Sequence, residues 1–224
     1  MKDATLDKLR RFDSPTVANT VEHFAVRDPV TGFAGMELKC QFSDQAPMVG
    51  YAVTCTADTT TPGRSGPMRL DRVLDMVHGA PKPAVLAIQF DGADRAKSCI
   101  AGDMFTTALA KLGVAGLVTD MGARDMRQIH ERAPDFQLFC PGAVVSHGYG
   151  VFLEFDVDVS ICGLTIRPGD LLHGDDSGLL TIPIEIADAV AERAGATRQS
   201  EADYFEFLEN DFSYEGLKGR LGIR

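Results

Sequence analysis

The stretch GDMFTTALAKLGVAGLVTDMGARD, residues 102–125, constrains the fold of this chain more than any other segment. Apolar residues recur at helical spacing over 104–112, and Gly113 follows them as a helix-ending glycine. The apolar run over 114–120 has the length of a buried strand, and a tight turn then leads to the pair Arg124-Asp125. The pattern predicts a helix, a strand and the start of a second helix.

The lengths of these elements predict where three charged side chains lie. A helix of about ten residues advances roughly 15 Å, and a strand of six or seven residues returns roughly 20 Å. We therefore expect Asp103, Arg124 and Asp125 at the carboxyl edge of the sheet, where open α/β sheets bind ligands. Two carboxylates and a guanidinium beside free helix-start N–H groups suit a hard divalent cation and an anionic substrate. The alternative is that Asp103 caps a helix and that Arg124 and Asp125 form a solvated pair.

Composition predicts one α/β domain over residues 1–224, because 45% of the side chains are hydrophobic and suffice for a sizeable core. The net charge of −10 disfavours nucleic acid and anionic membranes as partners. No apolar run approaches the roughly 18 residues of a membrane span. The N-terminus does not read as a secretory signal, and the five cysteines include no C-x-x-C pair, so we expect a cytoplasmic protein.

Further elements follow from periodicity and from turn residues. Helices are predicted over 4–11, from Asp13-Ser14-Pro15 to Phe24, over 68–78, and from about 184 to 209. Strands are predicted over 48–57, 84–90, 136–139, 179–182 and, as a strand–turn–strand unit, 157–166. Irregular segments are predicted over 27–47 and 58–67. The fold class is therefore a single α/β domain with helices on a mixed, partly barrel-like sheet.

Three further segments accompany the spacing D-x20-R-D formed by Asp103 and Arg124-Asp125. They are FDSPTVANTVEHF (12–24), MVGYAVTC (48–55) and GLLTIP (178–183). In this order and at these distances, the four segments resemble the RraA-like family, which includes divalent-metal-dependent 4-hydroxy-4-methyl-2-oxoglutarate aldolases. The resemblance implies a swivelling β/β/α fold and assembly as a homotrimer or hexamer with sites near subunit interfaces.

The resemblance also implies a reaction, the cleavage of a small anionic 4-hydroxy-2-oxo acid to release pyruvate through an enolate, with oxaloacetate decarboxylation as a side activity. Asp125 would bind Mg²⁺ or Mn²⁺ directly, and Asp103 would hold a metal-bound water. Arg124 would clamp the substrate and stabilise developing charge, and the N–H groups of Met104 and Phe105 would bind the pyruvate carboxylate.

The general base of this reaction is the role that the sequence defines least. It would be a metal-bound water, assisted by a carboxylate from a neighbouring subunit, and Glu201 lies about where the family has that residue. An imine mechanism needs a lysine on a buried element. The lysines instead fall in loops, termini or polar helix positions: Lys2, Lys8, Lys39, Lys82, Lys97, Lys111 and Lys218.

Two histidines and one substitution leave alternatives open. His147 in SHGYG, beside glycines that permit unusual backbone shapes, and His173 before Gly-Asp-Asp are potential site residues, but the family assigns metal to neither. Turn chemistry is the ordinary interpretation of the GDxSG segment that follows His173. Asn19 stands where the family usually has Asp, and the HGYG stretch also departs from the family pattern. The alternatives are a lyase or hydrolase acting on a different acid, and a non-catalytic regulator of the ribonuclease-inhibitor type.

Overall fold

The computed structural model describes residues 3–64 and 68–223, so residues 65–67 of the predicted loop over 58–67 lie outside the described residues. Seven helices are described: α1 Asp3–Leu9, α2 Ser14–Glu22, α3 Leu70–Gly79, α4 Asp103–Lys111, α5 Met126–Arg132, α6 Ala187–Asn210 and α7 Tyr214–Arg220. The first strands are β1 Lys39–Cys40, β2 Met48–Asp58, β3 Ala84–Phe90, β4 Cys99–Ala101, β5 Val114–Thr119 and β6 Gly122–Ala123. The later strands are β7 Gln137–Cys140, β8 Val151–Phe155, β9 Val159–Ile161, β10 Leu164–Ile166, β11 Leu171–Asp175 and β12 Gly178–Ile182.

The main sheet is mixed and has the strand order β1-β7-β5-β3-β2-β11-β12, with β8 also paired to β2. Strands β2, β3, β5 and β7 are parallel, whereas β1, β8, β11 and β12 run antiparallel to their neighbours. The first part of β2 pairs with β11, and its last part pairs with β8. Because one strand serves two partners in succession, the sheet splits and curls around the core. The predicted single α/β domain with a mixed, partly barrel-like sheet is confirmed.

The side chains of β3 point alternately to the two faces of this sheet and pack into the core on each face. Leu86 and Ile88 join a buried cluster with Val73 of α3 and Leu109 of α4. Val85, on the other face, joins a second cluster with the hairpin of β9 and β10. Successive side chains of a strand point to opposite faces, so a fully buried strand reads as one continuous apolar run. Helices α1, α2 and α6 cover a third cluster against β11 and β12.

Two local features follow directly from the sequence. The side chain of Asp13 accepts a hydrogen bond from the backbone N–H of Thr16 at 2.8 Å, which caps the start of α2 as predicted. The predicted strand–turn–strand unit is a hairpin in which Ile161 faces Leu164 across a two-residue turn. Both turn residues have positive φ, 46° at Cys162 and 82° at Gly163, as the right-handed twist of a tight hairpin requires.

The structure corrects the prediction at the Gly-Asp-Asp cluster. The turn predicted there is confined to the residues after Asp175, because His173, Gly174 and Asp175 lie in the buried strand β11. The ring of His173 contacts the hydroxyl of Ser14 at 3.0 Å and the carbonyl of Leu9 at 3.2 Å. Asp175 accepts a hydrogen bond from the N–H of Ser14 at 2.6 Å. His173 is therefore a core residue with structural partners.

Several other elements differ from the prediction. Strand β8 and helix α7 were not predicted, and the turn expected over 121–123 contains the short strand β6. The segment predicted as irregular over 27–47 contains the two-residue strand β1. The long predicted helix begins at Ala187, after a single 3-10 turn at Ile184–Ile186. Within residues 3–64 and 68–223, no helix is both long and apolar enough to cross a membrane.

Candidate active site

Strands β4 and β6 bring the two halves of the motif together. They pair in parallel, with Cys99 facing Gly122 and Ala101 facing Ala123. The N–H of Arg124 donates to the carbonyl of Ala101 at 2.9 Å. The start of α4 and the start of α5 are consequently adjacent. The sequence placed Asp103, Arg124 and Asp125 at one edge of the sheet, and the structure brings them to the same place.

The side chains of Arg124 and Asp125 pack against Gly102. A Cβ atom on Gly102 would lie 3.1 Å from Asp125 Oδ2 and 3.3 Å from Arg124 Nε, closer than ordinary van der Waals contact. Arg124 Nε lies 3.3 Å from Asp125 Oδ2, and both side chains remain about one third exposed. A glycine at position 102 therefore makes the room that this ion pair occupies.

Neither carboxylate serves as a helix cap, which argues against the alternative of simple capping. The N-cap of α4 is Gly102, and Asp103 is the first residue of the helix. Asp125 is the N-cap residue of α5, with a left-handed φ of 57°, but its side chain makes no capping hydrogen bond. A non-glycine residue in this conformation is uncommon and often marks a functional position.

Asp103 has a partner that the sequence did not suggest. Its carboxylate accepts a hydrogen bond from the guanidinium of Arg132, the last residue of α5. The Asp103 side chain is only 17% exposed, whereas that of Arg132 is 57% exposed. Arg132 lies seven residues after Asp125, or about two helical turns, so the helical period is the signal that could have suggested it.

A cavity of about 160 Å³ lies at the start of α4, lined by residues 99–105, Arg124 and His147. The first hydrogen bond within α4 runs from Thr106 N–H to Gly102 O at 3.0 Å. The N–H groups of Met104 and Phe105 therefore precede the hydrogen-bonded turns and are oriented to bind an anion. A cavity of about 560 Å³ lies elsewhere, beside segment 30–33 and β12, and is not lined by the three motif residues.

His147, which the sequence left as one of two potential site residues, lines this cavity. The loop that carries it returns to the site through Thr59, whose carbonyl accepts a hydrogen bond from Tyr149 N–H at 2.9 Å. The hydroxyl of Thr59 accepts a hydrogen bond from the N–H of Cys99 at 3.1 Å.

The thiol of Cys99, which also lines the cavity, remains protonated near neutral pH. Burial raises the pKa of this thiol, and the positive charge of Arg124 opposes that rise.

Glu201 and Asn19 lie apart from this cavity within one chain. Asn19 Nδ2 donates to Glu201 Oε1 at 3.3 Å, between helices α2 and α6. The carboxylate of Glu201 therefore does not contact the three motif residues of its own chain. A role for Glu201 at the site requires a neighbouring subunit and stays a prediction.

The residues at the start of α5 fit a hard divalent cation that keeps most of its waters. Among the residues that the structure describes, no three His, Cys, Asp or Glu side chains cluster to form a metal site. Mg²⁺ is commonly bound through one or two carboxylates, with waters and substrate oxygens as further ligands. Asp125, partly exposed at the site, could supply one such ligand, whereas a closed zinc site needs three or four protein ligands.

Comparisons with known proteins agree with this architecture. A protein of Halalkalibacterium halodurans, provisionally named a 4-hydroxy-4-methyl-2-oxoglutarate aldolase, is 37% identical over 106 residues, which are 46% of this chain and 48% of that protein. Protein DlpA of Legionella pneumophila is 29% identical over 123 residues, which are 54% of this chain and 19% of that protein. The chain thus spans about half the length of the first of these relatives and a fifth of the second.

Solved structures share the fold at lower identity. An uncharacterized protein from Pseudomonas syringae matches with a TM-score of 0.75 at 22% identity, over 98% of this chain and 95% of that one. Streptomyces coelicolor RraAS2, described as an unusual member of the RNase ES inhibitor RraA protein family, matches with a TM-score of 0.69 at 21% identity, over 91% and 96%. The model of the RraA-like family (Aldolase/RraA) matches residues 16–181, and the chain therefore belongs to that family.

Proposed function

We propose that this protein is a metal-dependent lyase that cleaves a 4-hydroxy-2-oxo acid and releases pyruvate, with oxaloacetate decarboxylation as a side activity. The observation that carries the proposal is the arrangement of Arg124, Asp103 and the free N–H groups of α4 around one small cavity, with Asp125 beside it. The provisional aldolase name of the relative from Halalkalibacterium halodurans supports the same reaction class.

Each residue has a separate task in this proposal. Asp125 would bind Mg²⁺ or Mn²⁺, and Asp103, held by Arg132, would accept a hydrogen bond from a metal-bound water. The bound cation would polarise the 2-oxo group. The substrate carboxylate would bind the N–H groups at the start of α4, and Arg124 would stabilise the negative charge that develops on the 2-oxo oxygen as the C3–C4 bond breaks.

An imine mechanism has little support in the positions of the lysines. Burial lowers the pKa of Lys82, but its ammonium donates to the carbonyl of Val77 and lies outside the cavity. Lys97 pairs with Asp94 at 3.4 Å and is 82% exposed. Lys39 lies in the short strand β1, with an exposed side chain. A Schiff-base lysine would need to be desolvated beside the substrate.

The experiment measures pyruvate release from 4-hydroxy-4-methyl-2-oxoglutarate and from oxaloacetate, with Mg²⁺ or Mn²⁺ and with excess chelator. We expect turnover that requires the cation and returns when the cation is restored. Borohydride added with pyruvate should leave the mass of the protein unchanged. Full turnover in chelator, or a reduced adduct on a lysine, would contradict the metal mechanism.

Assembly as a homotrimer or hexamer is part of the proposal. Large apolar side chains on the cavity wall and in the loop that carries His147 are exposed in a single chain: Met104 by 83%, Val145 by 94% and Tyr149 by 63%. A neighbouring subunit that covers them would bury apolar surface and could bring its Glu201 to the site. Light scattering coupled to size-exclusion chromatography measures the assembly directly, and a monomer that is fully active would contradict it.

Two alternatives carry less support. A non-catalytic regulator of the ribonuclease-inhibitor type rests on a likeness that shows the fold alone. A lyase or hydrolase acting on a different acid is suggested by His147 in the cavity and by Asn19. A panel of carboxylic acids, assayed for pyruvate and for acid release, separates these alternatives from the aldolase.

A further inference from the structure

We infer that His147 is the catalytic residue that takes the proton from the substrate hydroxyl and later returns it to carbon. The inference rests on the proposed lyase function and adds the proton carrier that the motif residues do not supply. His147 lines the cavity together with Arg124 and Asp103, and its side chain also faces solvent.

The backbone that follows His147 is held in one position. Gly148 has a φ of 61°, and a Cβ atom there would overlap the carbonyl oxygen of Thr59. Tyr149 N–H donates to that same carbonyl at 2.9 Å, and Gly148 N–H donates to the hydroxyl of Ser146 at 3.3 Å. The loop therefore presents the imidazole from a fixed support, although the side chain itself is exposed.

The same support is tied to the motif residues. Thr59 holds the histidine loop through its carbonyl and holds Cys99 through its hydroxyl, at 3.1 Å. Cys99 begins β4, and the next four residues lead to Asp103. Thr59 follows the buried Asp58, whose carboxylate accepts a hydrogen bond from Thr60 N–H at 2.8 Å. The position of His147 relative to the start of α4 is thus set by two hydrogen bonds to one residue.

The chemistry of the cavity selects the histidine. The guanidinium of Arg124 offers only hydrogen-bond donors and no acceptor for a proton. Asp103 is engaged by Arg132, and burial raises the pKa of the Cys99 thiol. An imidazole can both accept and donate a proton near neutral pH, which suits a group that must do both in one turnover. Among the described side chains that line the cavity, His147 is the one suited to carry the proton.

A single proton passes through His147 during the cleavage. One imidazole nitrogen of His147 takes the proton of the C4 hydroxyl, and the freed electron pair forms the new carbonyl at C4. The C3–C4 bond breaks, and its electron pair becomes the C2=C3 double bond of the pyruvate enolate, with the negative charge on the 2-oxo oxygen beside Arg124. C3 then takes the proton back from the imidazolium, which yields pyruvate and restores neutral His147.

The test compares His147→Ala and His147→Gln with His78→Ala, a control that removes an exposed histidine on α3, outside the cavity. We expect both His147 variants to lose about 10²-fold or more in aldol cleavage, since general acid–base catalysis contributes that much. Oxaloacetate decarboxylation breaks no O–H bond, so it should fall less. Free imidazole should restore part of the aldol cleavage to His147→Ala, because it can occupy the part of the cavity that the missing side chain vacates. The control should resemble the parent protein.

Near-normal aldol cleavage in His147→Gln would overturn the inference. Equal losses in both reactions without imidazole rescue would also overturn it, since they would indicate a purely structural loop residue. Circular dichroism and the unfolding midpoint show whether each variant is folded. If the parent protein itself cleaves neither substrate with Mg²⁺ or Mn²⁺, the proposed function fails instead, and that outcome is distinct from normal activity in the variants.

Discussion

The carboxylate of Asp103, the first residue of α4, is paired with the guanidinium of Arg132, the last residue of α5. The pair joins the two helices whose N-termini carry the motif residues. It also orients the Asp103 carboxylate, which we propose accepts a hydrogen bond from a metal-bound water. An outer partner of this kind is expected to matter for activity more than for stability.

Arg132→Gln tests this relationship. We expect metal affinity or turnover to fall about 10- to 100-fold, as is typical when an outer-shell partner is removed. The unfolding midpoint should change little, because Arg132 is more than half exposed and exposed ion pairs contribute less than about 1 kcal/mol. The matched control is Arg127→Gln on the same helix, which breaks an exposed pair with Glu131 at 2.9 Å. Equal activity in the two variants would remove Arg132 from the site.

Substitutions of Arg124 and of Asp125 should have different effects on metal binding and on turnover. Asp125→Ala should abolish metal binding and turnover together, because it removes the proposed direct ligand. Arg124→Ala should retain metal binding but lose about 10²–10³ in turnover, as when one preorganised donor is removed. Arg124→Lys should recover little, since an ammonium cannot reproduce the planar fork. Metal titration and oxaloacetate decarboxylation measure both effects, and near-normal turnover in Arg124→Ala would show that the site is misplaced.

Gly102→Ala should impair the site without unfolding the protein. The added methyl group would come within 3.1 Å of Asp125 Oδ2 and 3.3 Å of Arg124 Nε, so both side chains must move. Catalysis is sensitive to shifts of this size, and we expect turnover to fall while the unfolding midpoint stays near that of the parent. Gly142→Ala is the control, because a Cβ atom there meets no atom within 4 Å. If both variants have parental turnover, the proposed positions of Arg124 and Asp125 are wrong.

Asp58 should make stability depend on pH in the acid range. Burial alone would raise its pKa, but hydrogen bonds from Thr60, Thr61 and Arg64 outweigh burial and lower the pKa from 3.8 to about 2. Because the pKa of Asp58 is lower in the folded protein than in the unfolded chain, its ionised carboxylate stabilises the fold by about 2 kcal/mol at pH values above the unfolded pKa. This stabilisation is lost as the pH falls from about 4 toward 2. Asp58→Asn should therefore be less stable at neutral pH and lose less stability on acidification.

Denaturant unfolding at several pH values measures this difference. The control is Asp91→Asn, since Asp91 is half exposed and lies 3.4 Å from the same Arg64. We expect that control to cost less than about 1 kcal/mol, because solvent screens an exposed pair. An acid profile of Asp58→Asn that parallels the parent would show that the Asp58 carboxylate does not contribute.

The sequence predicted those elements whose pattern is local. The helical period of α4 and the apolar runs of β3 and β5 are complete within a few residues, so they could be assigned without tertiary contacts. Strand β11 could not, because its LLHGD sequence looks polar. The buried side chains of His173 and Asp175 both have a hydrogen-bonding partner in Ser14, about 160 residues earlier in the chain.

The candidate site likewise contains residues that a local pattern predicts and residues that only tertiary contacts bring to it. Asp103, Arg124 and Asp125 follow from a spacing that one helix and one strand determine. Arg132 could not be assigned, because its contact depends on how a long side chain spans two helices. His147 reaches the cavity through a loop that attaches to Thr59, nearly 90 residues earlier, and no local pattern encodes that attachment.

The parallel pairing of β4 with β6 brings the two ends of the segment between Ala101 and Ala123 together. Hydrogen bonds from Arg124 N–H to Ala101 O and from Gly122 N–H to Ser98 O hold these ends in place. Because both ends are held, the number of residues between them determines how the start of α4 is oriented. Deleting one residue within α4 would turn the helix start by about 100° about its axis and carry the Asp103 carboxylate away from Arg132. The site is thus encoded by a count of residues as much as by the residues themselves.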